Sequence, residues 1–162
     1  MRLPPATIVF ALLLCPAAAA AQSDTATLNA SVSGLARLSL SSGSITFADA
    51  DPDAVPFVPA SPAAISITAK ARATEGGEVT LTVLATDDLR SGVDTIPASA
   101  ISWTASGPGF VSGTLSSTAA QLVASWPGSG VYTGSQSFLF QNLWTHPTGT
   151  YTVTVVFTLS AS

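Results

Sequence analysis

The sequence predicts an all-β fold, an immunoglobulin-like antiparallel β-sandwich of about eight or nine strands. Three observations predict it. Apolar residues alternate with Ser and Thr at a period of two in several runs, most clearly at 151–159. There Tyr151, Val153, Val155, Phe157 and Leu159 share one face, and Thr152, Thr154 and Thr158 the other. Turn residues recur at roughly ten-residue spacing, as short strands require. No segment after residue 21 carries the 3.6-residue period of a helix. Uneven run lengths favour a sandwich over a closed barrel.

The first element is an address. Arg2 supplies a positive start, residues 8–15 are apolar, and Ala19, Ala20 and Ala21 precede Gln22 as a cleavage site. Residues 1–21 therefore read as a signal peptide, and 22–162 as a single β-sandwich domain. The apolar run is too short for a membrane span, and no other stretch inserts the mature chain in a membrane. Cys15 offers a second reading as a lipidation site, but Leu14 stands where a small residue is wanted. Cleavage leaves roughly 140 residues, enough for one core. It removes the single cysteine, so the exported domain holds together without disulfides.

Removing Arg2 takes the formal net charge from −4 to −5. An acidic, sparsely charged chain repels nucleic acid and anionic membrane, so neither is expected as a partner. The expected location is secreted, extracellular or at the cell surface, with periplasmic transit.

Along the chain, residues 25–32 alternate, with Ala26, Leu28, Ala30 and Val32 on one face. Gly34 interrupts, and Leu35, Leu38 and Leu40 resume the pattern in shifted phase, as across a bulge or a change of sheet. Residues 44–47 form a short strand. Residues 49–62 read as a loop, because Pro52, Pro56, Pro59 and Pro62 lack the donor a central strand needs. Runs 63–73 and 79–85 alternate again and meet across Gly76-Gly77, which predicts a hairpin. Residues 87–99 read as loop. Strands follow around 101–105 with Trp103 inward, 111–115, 120–126, 134–143 with Phe138 and Phe140 on one face, and 151–159.

Catalytic chemistry finds little to stand on. His146 is the only histidine and lies beside Pro147 in a turn, and no Gly-x-Ser-x-Gly elbow accompanies the many hydroxyls. No enzyme and no cofactor are expected. Asp49, Asp51 and Asp53 alternate as carboxylates around a calcium ion do. A helix-flanked calcium loop also wants glycine sixth and glutamate twelfth, and Ala54 and Ala60 stand there. A solvated, edge-blunting loop is the competing reading. Trp126, Tyr132 and Trp144 lie near turns, where exposed rings could stack on sugars as a carbohydrate-binding module, or else cap the core.

The run holding Ala26, Leu28, Ala30 and Val32 has two open readings. It is either the first strand of its own sandwich or a strand donated to a neighbour's sheet edge. The pattern resembles bacterial secreted pilin-like and WxL-like surface β-sandwich proteins. The resemblance rests on the alternating start at 26–32, on Ile45-Thr46-Phe47, and on the ending from Gly149 through Tyr151 to Phe157-Thr158-Leu159. Phe157 stands where the WxL family has tryptophan. The resemblance implies a non-enzymatic structural or surface protein acting by assembly or adhesion. Its partners would be itself by strand addition, or another envelope protein. The alternative is polysaccharide binding through the loop aromatics.

Overall fold

The computed structural model describes residues 26–162. The expected signal peptide at residues 1–21, and Cys15 within it, lie outside the described residues. The chain divides into two units, Met1–Ser31 and Val32–Ser162, and the second carries the fold. Its strands are β1 (Leu35–Leu40), β2 (Thr46–Phe47), β3 (Phe57–Ser61), β4 (Ile65–Arg72), β5 (Glu78–Ala85), β6 (Leu89–Ser91), β7 (Asp94–Ile96), β8 (Ile101–Ser106), β9 (Gly113–Thr114), β10 (Gln121–Pro127), β11 (Gly130–Gln141) and β12 (Val155–Ala161). The unit is all-β, with antiparallel sheets packed on one another. A single 3-10 turn, Ala98–Ala100, interrupts the strands.

The larger sheet is built around β11. Its first half pairs with β4, its second half pairs with β3 along the same side, and β8 takes the other side. β1 extends the sheet beyond β4, β2 beyond β3, and β9 beyond β8. The facing sheet has β5 in the middle, with β10 and β12 on its two sides. A small hairpin, β6 with β7, closes one end.

The core forms where the alternations meet. Ile65, Ile67, Ala69 and Ala71 from β4 face Val79, Leu81, Val83 and Ala85 from β5, and all eight are buried. Trp103, Phe138, Val123 and Trp126 complete the cluster. The inward faces expected for these runs are therefore the observed ones.

Three expectations need correction. Runs 63–73 and 79–85 form no hairpin, because β4 and β5 lie in different sheets and the turn between them arches across the sandwich. Gly76 takes φ +73° there, which suits a residue without Cβ. Alternation with one buried face is identical for two strands that pair and two that face each other, so the pattern cannot separate them. The prolines of 49–62 do not exclude a strand, since β3 runs through Pro59. The Asn142 N–H donates to the Pro56 carbonyl (2.9 Å), which fixes the ladder so that Pro59's nitrogen points away from β11. On its other side β2 has already ended at Phe47, so no bond is lost. Residues 87–99, read as loop, hold β6 and β7, with Leu89 and Ile96 buried beneath them.

The closing strand has the predicted face but less burial. Val155, Phe157 and Leu159 pack against the core while remaining half-buried, because β12 has a neighbour on one side only. Regular pairing starts at Val155 rather than at 151. Thr152 makes an isolated bridge to Arg90.

Candidate functional site

The feature that positions a site is the open edge of the smaller sheet. Thr86 N–H donates to the Thr154 carbonyl (2.9 Å), and Ser162 N–H to the Glu78 carbonyl (3.1 Å). In an antiparallel ladder this phase sends the backbone groups of Val156, Thr158 and Ser160 toward β5. The N–H and C=O groups of Val155, Phe157, Leu159 and Ala161 then point the other way, along the edge. Among the described residues no strand pairs with them. The side chains of Val155, Phe157 and Leu159 turn inward onto the core.

β1 approaches β12 from the facing sheet. It too has one open side. Ser41 N–H donates to the Ser66 carbonyl (2.9 Å), which turns the backbone groups of Ala36, Leu38 and Leu40 away from β4. Leu38 and Leu40 are half-buried against the core. One flank of the sandwich thus carries two open sheet edges above half-buried apolar side chains.

Residues 26–34 carry no strand. Ala26, Leu28, Ala30 and Val32 are all exposed, Leu28 at 96% and Val32 at 74%. The run that could serve either as the first strand of its own sandwich or as a donated strand forms no strand among the described residues. Its alternation is real in the sequence, but in this chain no ladder takes it up.

The other candidates are placed as follows. Asp49, Asp51 and Asp53 do not converge as metal ligands, and no group of three such side chains does so among the described residues. Instead Asp51 accepts from its neighbour's backbone, Asp53 N–H to Oδ1 (3.0 Å), and its carbonyl accepts from the Ala54 and Val55 N–H groups. Those bonds build a turn. Asp53 Oδ1 also accepts from Trp144 Nε1 (3.1 Å).

The three aromatics do not share a surface. Trp126 is buried at 4% exposure, stacked on Tyr132 and edge-on to Phe110. Its Nε1 donates to the Pro108 carbonyl (2.7 Å), and the Tyr132 hydroxyl donates to the Gly128 carbonyl (2.7 Å). Both rings are spent on the core. Trp144 alone is exposed, at 70%. An indole near a turn reads the same in sequence whether it caps the core or faces solvent, since the chain's fold-back decides which.

No family model, curated protein or solved structure matches this chain.

Titratable groups are sparse around these surfaces. Arg90 and Asp87 form an exposed ion pair (2.7 Å) at the end of β5. The Arg90 hydrogen bond holds the Asp87 carboxyl below its ordinary range. Burial depresses the His146 imidazole, whose ring lies 5.5 Å from that of Phe140. His146 Nδ1 is buried with no hydrogen-bond partner. Gln136 is the buried polar residue of the core at 0% exposure, and neither of its amide atoms has a partner. Nothing in its sequence context marked it, because it occupies an inward place in an alternating strand.

Proposed function

We propose that this chain is a secreted, non-enzymatic structural or surface protein that works by assembly. The alternating run 26–32 of one copy adds as a strand beside β12 of the next. The observation that carries this reading is the complementarity of two pieces of the same chain. β12 is seven residues long, and the outward backbone groups of Val155, Phe157, Leu159 and Ala161 lack a strand neighbour among the described residues. The run 26–32 has the same length, alternates, and stands outside every sheet.

Strand addition satisfies backbone donors and acceptors on both partners, and alternate side chains set the register. Ala26, Leu28, Ala30 and Val32 would face the core flank beside Phe157 and Leu159. Thr27, Asn29 and Ser31 would face solvent. A donated strand gives a head-to-tail contact, which need not close and so builds a chain of copies. The leader-like first 21 residues support an exported setting for such a polymer.

Light scattering behind size exclusion tests the reading on the mature protein across a wide concentration range. Multimers should grow with concentration, and deletion of residues 22–33 should leave a folded monomer. A wild-type protein that stays monomeric throughout contradicts the reading.

A further inference from the structure

Four cations lie in the described chain: Arg37, Lys70, Arg72 and Arg90. Arg90 is held by Asp87, the one ion pair among the described residues. The remaining three converge. Arg37 stands directly across from Lys70 in the β1–β4 ladder, and Leu35 across from Arg72. Val131 of β11 stands on the other side of Lys70. Because Ala69 and Ala71 point inward, Lys70 and Arg72 project from the outer face of the larger sheet, and all three cations are exposed.

The cations line a shallow depression of about 470 Å³ together with Leu35, Ala71, Ser129, Gly130 and Val131. Like charges directly across a ladder destabilise a sheet. In a chain of net charge −4, the three cations without a carboxylate partner are nevertheless gathered at one spot. Random placement of so few charges would not need to concentrate them, and none of the eight acidic residues among the described residues lines this spot.

The neighbouring rung of the same face is Ser39, Thr68 and Thr133, one from each strand. Further along come Ser66, Ser135 and Ser106. The face therefore offers cations at one end and a flat run of hydroxyls beside them. Neighbouring strands within one rung lie about 4.8 Å apart, and successive rungs on this face, two residues along the strand, lie about 6.7 Å apart.

We infer that this face binds an acidic polysaccharide, a chain whose sugars carry carboxylate or sulfate groups. Arg37, Lys70 and Arg72 take the acid groups by charge-assisted hydrogen bonds. The hydroxyls of Thr68 and Thr133 meet the sugar hydroxyls, and exposed Leu35 and Val131 flank the chain with apolar surface. The site shares no residue with the β12 edge and involves none of Trp126, Tyr132 and Trp144.

Calorimetry of the mature protein against polygalacturonate, neutral dextran and polyphosphate at low salt tests the assignment. Polygalacturonate should bind and dextran should not. Affinity should fall with salt on a log–log slope of about −2 to −3, the release of counterions by three cations. The triple variant R37A/K70A/R72A should lose at least tenfold in affinity with an unchanged or raised melting temperature, while R90A binds as the parent does. Thr133→Val should weaken polygalacturonate several-fold.

Three results would overturn the assignment: undiminished affinity in the triple variant, polyphosphate bound as tightly as polygalacturonate, or no polyanion bound. Salt-sensitive self-association that vanishes in the triple variant, without glycan binding, would give the patch to a second copy instead. Assembly through β12 is scored separately, since none of these substitutions touches that edge.

Discussion

The indole of Trp126 lies parallel to the phenol ring of Tyr132, with 4.5 Å between centroids and 4° between planes. Trp126 belongs to β10 and Tyr132 to β11, so the stack joins the two sheets where the chain crosses between them. Each ring also anchors a turn by its polar tip, the indole to Pro108 and the phenol to Gly128. Tyr132→Phe keeps the stack and should cost about 1 kcal/mol for the lost hydrogen bond. Trp126→Ala should cost about 3–5 kcal/mol, since it removes the ring and leaves a cavity. Urea unfolding measures both, and equal costs would show that the stack carries little.

Gln136 leads to the opposite sign. Its amide is fully buried without partners, so it carries an uncompensated desolvation cost. Gln136→Met keeps the volume and removes the polar atoms. It should stabilise the fold by about 1–3 kcal/mol, seen as a higher urea midpoint at unchanged slope. Destabilisation would mean that the amide has a partner such as an internal water.

Gly109 takes φ +79°, and a Cβ there would run into the Trp126 indole and the Ser125 carbonyl. Gly109→Ala should therefore destabilise by about 2 kcal/mol or more, through both backbone strain and displacement of the ring. Thermal unfolding checks it, with Gly92→Ala as the comparison, where the backbone is equally left-handed but the space is open.

His146 sets a pH dependence. Burial lowers its folded-state pKa, so the folded chain resists the proton more than the unfolded chain does. Stability from this group is complete above the ordinary value of 6.5 and declines as pH falls from there through the depressed folded value. A melting curve from pH 8 to 5 should show that decline, and His146→Phe should flatten it. Proton-detected titration of His146 at or above 6.5 would contradict the burial argument.

The burial of β12 explains how far the sequence could be read. Its inward face was legible because a period of two over nine residues leaves one assignment. Its half-exposure was not, because burial depends on how many neighbours a strand has. The same gap produced the hairpin expected at Gly76-Gly77. Two inward faces were correct, but whether they pair or oppose is a tertiary fact. β3 was hidden because proline excludes only one side of a ladder. The exposed position of residues 26–34 was equally hidden, since alternation states a capacity for pairing and not its partner. The cation cluster was invisible for the reason that Arg37 and Lys70 are far apart in sequence and meet only through the β1–β4 register.

Phe157 measures the edge itself. Being half-buried, Phe157→Ala should cost about 2 kcal/mol, below the 3–5 kcal/mol of a fully enclosed phenylalanine. Thr158→Ala, on the outer face, should stay within about 0.5 kcal/mol. If copies add strands here, Phe157→Ala should also weaken multimer formation, whereas Thr158→Ala should not.

Amide hydrogen exchange along β12 tests strand addition most directly. A peptide of residues 22–33 is added to the protein lacking that segment, and exchange is followed residue by residue. Strand addition predicts that the N–H groups of Val155, Phe157 and Leu159 become protected. Those of Val156, Thr158 and Ser160, already bonded to β5, should keep their rates. Unchanged exchange at Val155, Phe157 and Leu159 under saturating peptide would contradict assembly through this edge.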